Sequence, residues 1–145
     1  MPDIPPAIAA LAALHQIQDA LHRAFEADER LSGYTNSEKL LLFRLSEPLR
    51  MGEVAEALRC LPSNVTALVD QLESAGLVRR EPCAGDRRVK QLVLTENGVA
   101  VRITIIGAAA EIFARVTGLG REDVEQLLWL LSRCGGLDAA AMRAP

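Results

Sequence analysis

Leu77–Thr95 reads LVRREPCAGDRRVKQLVLT. Two apolar segments, Leu77–Val78 and Leu92–Val93–Leu94, flank a loop that holds Pro82, Gly85 and the triplet Asp86–Arg87–Arg88. Short apolar runs separated by turn residues predict a β-hairpin, here with a basic tip. It follows a helical pattern that stops at Gly76, where a helix C′ position favours glycine. A helix that leads into a hairpin with arginines at its tip is the layout of a winged helix. Such a basic wing commonly holds a nucleic-acid duplex.

Upstream, Pro62 opens the segment PSNVTALVDQLESA. Val65, Leu68, Val69 and Leu72 recur at i, i+3, i+4 and i+7, so they form the buried face of a helix over Pro62–Ala75. The opposite face carries Ser63, Asn64, Thr66, Ala67, Asp70 and Gln71. Before it, GEVAEAL at 52–58 reads as a short helix with Val54, Ala55 and Leu58 inward, and Arg59–Leu61 as a tight turn. Two helices joined by a three-residue turn make a helix-turn-helix. A central helix carrying Leu40–Phe43 and Leu45 precedes them, with Ser37 as its N-cap and Pro48 as its end.

The chain ends are helical too. Pro5–Pro6 opens a first helix with Ile8, Leu11, Leu14, Ile17, Leu21 and Phe25, expected to run to about Arg30. Thr95 caps a long helix through Val101, Ile105, Ile112 and Val116, with Gly98 a weak point. Gly118 and Gly120 break it, and Arg121 to about Arg133 forms a last helix. A winged core of roughly 60 residues offers too little surface to cover these apolar faces, and exposed stripes of that size mark an interface. The expected fold is mostly α with a small β-hairpin. A winged helix-turn-helix at 35–95 is flanked by a helical dimerisation region at 1–34 and 96–145, in a homodimer. Two recognition helices about 34 Å apart would match a pseudo-palindromic site on double-stranded DNA.

Charge and composition narrow the function. The net charge of the 145 residues is −3, yet residues 77–90 hold five basic and two acidic residues. Positive potential therefore concentrates at the hairpin. No apolar run approaches the roughly 20 residues that span a bilayer. The N-terminus lacks a basic signal-peptide region, so no membrane association and a cytoplasmic location are expected. The three cysteines, Cys60, Cys83 and Cys134, have no metal-site spacing. With no nucleophile triad, phosphate loop or metal-ligand cluster, and only two histidines, no enzyme, metal or cofactor is expected.

The run MGEVAEAL, then PSNVTALVDQLESAGLVRR, then GDRRVKQLVLTENG, resembles the MarR family of bacterial transcriptional regulators. The resemblance implies a dimeric winged-helix protein, usually a repressor, released from DNA by small aromatic or phenolic ligands or by oxidants. It places the recognition helix at Pro62–Ala75, with Ser63, Asn64, Thr66 and Ala67 facing bases and phosphates. It maps the family's D-x-R wing motif onto Asp86 and Arg88: the arginine enters the minor groove and the aspartate orients it. Arg87 and Lys90 join them as expected DNA contacts, and Arg79 and Arg80 are candidates for phosphates or for shielding the hairpin edge.

Two departures stand out. Ala67 and Gln71 occupy positions where family members often carry arginine, and the recognition helix holds Asp70 and Glu73 but no basic residue. Asp70 is expected to pair internally, with Arg44 or Arg59. Ligand sites in such proteins lie between the dimer helices and the winged core, which makes His15, His22, Arg23 and Arg44 candidate linings. Two other readings stand beside this one. Cys83, in the wing loop beside arginines, or Cys60 would make the protein a thiol-based redox sensor. Alternatively, the acidic recognition helix would serve protein–protein contact only.

Overall fold

The computed structural model describes residues 5–58, 60–83, 86 and 88–134, with the backbone alone at 62 and 63. Among them the chain forms six α-helices and a three-stranded antiparallel sheet. Residues 26–109 make one compact unit, and the described residues up to Phe25 and from Ala110 on belong to a second.

In the first unit, α2 (Asn36–Arg44), α3 (Met51–Leu58) and α4 (Pro62–Ser74) precede the hairpin of β2 (Val78–Pro82) and β3 (Lys90–Leu94). Val65, Leu68, Val69 and Leu72 of α4 are all buried, as their spacing requires. They share the core with Leu41 and Leu42 of α2, Val54 of α3, and Leu77, Val78 and Leu92 of the hairpin. At 25 cal/mol per Å² of apolar surface, each such side chain stabilises the fold by about 2 kcal/mol.

Several boundaries differ from the sequence reading, each for a local reason. The first helix, α1 (Pro6–Glu26), stops four residues short of Arg30. Asp28 ends the helical run by capping a 3-10 turn at Glu29–Leu31, where its carboxylate accepts the Arg30 amide at 3.0 Å. Thr35 rather than Ser37 caps α2, because Glu38 stands three residues on and closes a capping box. The Thr35 hydroxyl accepts the Glu38 amide at 3.2 Å, and Glu38 accepts the Thr35 amide at 2.7 Å. The helix ends at Arg44, four residues before Pro48. Leu49–Arg50 then forms β1, an unexpected strand that pairs with Leu92 and Gln91 of β3. Two residues carry no readable alternation, so only pairing reveals such a strand.

The junction between α4 and the hairpin is tightly determined. Gly76 adopts φ +69°, and the Leu77 amide bonds back to the Leu72 carbonyl at 2.9 Å. This Schellman closure satisfies carbonyls that the helix end would leave open. The chain returns at Thr95, whose hydroxyl donates to the Gly76 carbonyl at 2.6 Å and accepts the Gly98 amide at 3.0 Å. Thr95 thus caps α5 (Glu96–Thr117) as its sequence suggests. Gly98 is a packing requirement rather than a weak point, since a β-carbon there would lie 1.9 Å from the Leu77 carbonyl oxygen.

In the second unit, α1 and α6 (Arg121–Ser132) contain no buried residue. Ile8, Leu11 and Leu14 of α1 are more than half exposed, as are Trp129 and Leu130 of α6. No helix among the described residues is long and apolar enough to cross a membrane.

Candidate nucleic-acid interface

Burying Val65, Leu68, Val69 and Leu72 fixes the rotation of α4, and the remaining positions must face outward. Asn64, Thr66, Ala67, Asp70 and Gln71 are all exposed. No side chain caps the start of the helix, where Pro62 occupies the first turn. Between α2, α3 and α4 lies an open cleft of about 410 Å³, lined among others by Leu40, Leu58, Cys60, Asn64, Ala67 and Gln71.

The hairpin beside it divides into a root and a tip. At the root the basic residues are paired. Arg79 Nε donates to Glu81 Oε1 at 2.6 Å on the same strand. Arg80 reaches across to α4, where its Nη2 donates to Asp70 Oδ1 at 2.5 Å and its Nη1 to Glu73 Oε2. Its backbone amide also donates to Glu73 Oε1, at 3.0 Å. Burial by itself lowers the Arg80 pKa, but hydrogen bonds and charge from Asp70 and Glu73 outweigh it and hold the guanidinium above its ordinary value. The sequence points to Arg44 or Arg59 as the partner of Asp70. Arg59 lies outside the described residues, and Arg80 is the arginine that the fold delivers, because β2 runs alongside α4.

At the tip, Arg88 and Lys90 are exposed. Asp86 meets Arg88 at its backbone: its Oδ1 accepts the Arg88 amide at 2.9 Å. The Val89 amide donates to the Asp86 carbonyl at 3.0 Å. Such an Asx turn fixes the direction in which the following side chain leaves the chain. The resemblance implies that the aspartate orients the arginine; here its carboxylate holds the backbone that carries the guanidinium. Arg87 and the side chain of Ser63 lie outside the described residues.

The wing cysteine is differently placed from its sequence expectation. Cys83 is buried, its amide bonds to the Val89 carbonyl at 2.9 Å, and its Sγ donates to Gln91 Oε1 at 3.4 Å. It closes the hairpin because β2 extends to Pro82, leaving a shorter loop than the sequence implied.

The domain model of the MarR family matches residues 35–90, which run from the cap of α2 to the first residue of β3. The same fold, with its flanking helices, occurs in AbsC from Streptomyces coelicolor, a MarR family transcriptional regulator. Identity is 27% over 90% of this chain and 93% of that one, with a TM-score of 0.70. Residues 35–90 thus match the MarR family, and the chain shares the fold of a MarR-family regulator.

Other solved structures share the fold. The transcriptional regulator Tm0710 from Thermotoga maritima is 28% identical over 86% of this chain and 89% of its own, with a TM-score of 0.62. BpsR from Bordetella bronchiseptica shares the fold at 19% identity, with a TM-score of 0.67 over 88% of this chain and 93% of that one. The chain thus has the winged-helix fold of MarR-family transcriptional regulators.

The ligand candidates divide between the two units. His15, His22 and Arg23 are exposed on α1. His15 Nδ1 lies 3.1 Å from the Leu11 carbonyl of its own helix. Arg44, at the end of α2, is half-buried, and its Nε is buried without a hydrogen-bond partner. Arg102 of α5, which the sequence did not single out, matches it: Nη2 is likewise buried and unpartnered, and Nε donates to the Phe43 carbonyl at 3.4 Å. An arginine facing inward in a mostly apolar helix was the available signal.

Proposed function

We propose that this protein is a DNA-binding transcriptional regulator, that it acts as a homodimer binding a pseudo-palindromic duplex through α4 and the tip of the wing, and that it represses transcription in the cytoplasm until a small aromatic or phenolic effector releases it. The supporting observation is the division of the hairpin. Root arginines are ion-paired, whereas Arg88 is exposed at the tip with its backbone held by Asp86. A guanidinium presented in this way suits the narrow minor groove, where negative potential concentrates. Ser63, Asn64, Thr66 and Ala67 then meet bases and phosphates from the first turns of α4, and Arg87 and Lys90 flank the contact. The N-terminus of α4 adds the positive end of its helix dipole. The exposed apolar stripes of α1 and α6 support assembly through residues 1–34 and 96–145, with 35–95 as the DNA-binding region.

For the effector, the unpartnered nitrogens of Arg44 and Arg102 favour a ligand that carries a carboxylate or phenolate, since a buried guanidinium donor without a partner is costly. BpsR offers a parallel of that chemistry: its DNA binding is regulated by 6-hydroxynicotinic acid. Histidines and Arg23 of α1 remain second candidates.

In vitro selection of duplex DNA on the full chain tests this reading and supplies the operator. Recovery of an inverted repeat is expected; recovery of no enriched sequence overturns it in favour of a protein-contact module. On the selected duplex, Arg88→Ala should weaken binding about tenfold and lower the salt slope by about one. An unchanged isotherm removes the wing from the mechanism. The thiol-sensor alternative predicts that peroxide releases DNA from the wild type but not from Cys60→Ser or Cys83→Ser. Burial of Cys83 against Gln91 argues against that thiol.

A further inference from the structure

The recognition helix poses an electrostatic problem. Pro62–Ser74 contains two carboxylates and no basic residue. Thr66, Asp70 and Glu73 follow one another at spacings of four and three, so the carboxylates continue the face that carries the expected DNA contacts. A polyanion approaching that face meets net negative charge.

Arg80 answers this from a neighbouring strand. Its fork engages both carboxylates at once, a task that suits the several fixed donors of a planar guanidinium. Glu73 has a second duty. β2 lies at the edge of the sheet, paired only with β3, and Glu73 Oε1 accepts the outward-facing Arg80 amide at 3.0 Å. Wing root and recognition helix are thereby tied through one residue.

We infer that Arg80 is a positioning residue for DNA binding, which screens Asp70 and Glu73 from the phosphates by clamping both carboxylates from the wing root. It contributes no phosphate contact of its own, because both terminal nitrogens of its guanidinium already engage α4. The inference rests on the proposal that α4 faces DNA. It adds that the absence of basic residues from this recognition helix is offset in cis by an arginine of the wing.

Substituting the clamp separates charge screening from simple bracing. Asp70→Asn and Glu73→Gln keep the shape of both side chains, and the carboxamide oxygen introduced by Glu73→Gln can still accept the Arg80 amide. With the duplex selected on the wild type, Arg80→Ala should weaken binding at least tenfold with the salt slope unchanged. Adding Asp70→Asn and Glu73→Gln to Arg80→Ala should restore affinity to within about threefold of the wild type. With Arg80 retained, the two neutral substitutions free its guanidinium, so binding should tighten and the salt slope should steepen by about one.

If the triple variant stays as weak as Arg80→Ala, the residue only braces the wing and the inference is overturned. It is equally overturned if Arg80→Ala binds like the wild type. Arg80→Met, which keeps the aliphatic stem over α4, replaces alanine if melting shows that Arg80→Ala does not fold, with the same outcomes expected. A wild type that selects no duplex would instead refute the DNA-binding role of α4, a result distinct from either.

Discussion

The unit of residues 26–109 and the end helices solve the same problem in opposite ways. In the former, α2, α3, α4 and the sheet bury Leu41, Leu42, Val54, Val69, Leu72 and Leu92 almost completely. In the latter, α1 spans 21 residues without burying one, and α6 spans 12 likewise. Both regions are comparably apolar in pattern, so amphipathicity alone does not distinguish a core from an interface. What distinguishes them is closure. Three helices and a hairpin cover one another, whereas a stripe such as Ile8–Leu11–Leu14 remains open within one chain, as the proposed dimer requires.

The largest way to break this contrast is to hollow the closed unit. Leu72→Ala should cost about 4 kcal/mol, since the side chain is fully buried and the cavity cannot collapse against a rigid sheet. Thermal or urea unfolding should show the loss at every protein concentration. A loss below about 1 kcal/mol would mean that the core is not closed as described.

Gly98→Ala follows, at about 3 kcal/mol, because the added methyl group meets the backbone carbonyl of Leu77 and no rotamer can relieve it. A neutral result would place the start of α5 away from the hairpin junction.

On the open side, Leu14→Ala should behave differently. At 58% exposure within one chain it contributes little to the isolated fold. Its truncation should weaken self-association by about 2 kcal/mol per protomer, corresponding to full burial of a leucine at an interface. Sedimentation at graded concentrations reads the change directly. An unaltered dissociation constant would take α1 out of the interface.

The smallest effect sharpens the contrast rather than breaking it. Thr35→Ala removes the hydroxyl from the capping box of α2 and should cost about 1 kcal/mol of stability. Hydrogen exchange should rise in the first turn of α2 and not in α6; equal protection in both proteins would discount the cap.

Much of the winged unit is legible in the sequence because it is locally specified. The buried face of α4 follows from helical spacing, Gly76 from the left-handed backbone its turn needs, and Thr95 from its place before Glu96. Signals of that kind act over a few residues. Where two local signals compete, as with Thr35 and Ser37, spacing to Glu38 settles the matter, and this too was readable. By contrast, β1 is two residues long and exists only because Gln91 and Leu92 lie beside it.

Site chemistry divides along the same line. Its sequence determines that the wing is basic, that Asp86 precedes Arg88 by two, and that the recognition helix is acidic. Composition cannot say which of several arginines neutralises Asp70 and Glu73, because the answer depends on a strand ten residues away from Asp70 passing its side of the helix. Tertiary packing selected Arg80, left Arg88 exposed at the tip, and withdrew Cys83 from solvent. The physical reason is range. Periodicity, capping and turn chemistry act within a few bonds along the chain, whereas ion pairing and burial depend on distances in space that only the closed fold sets.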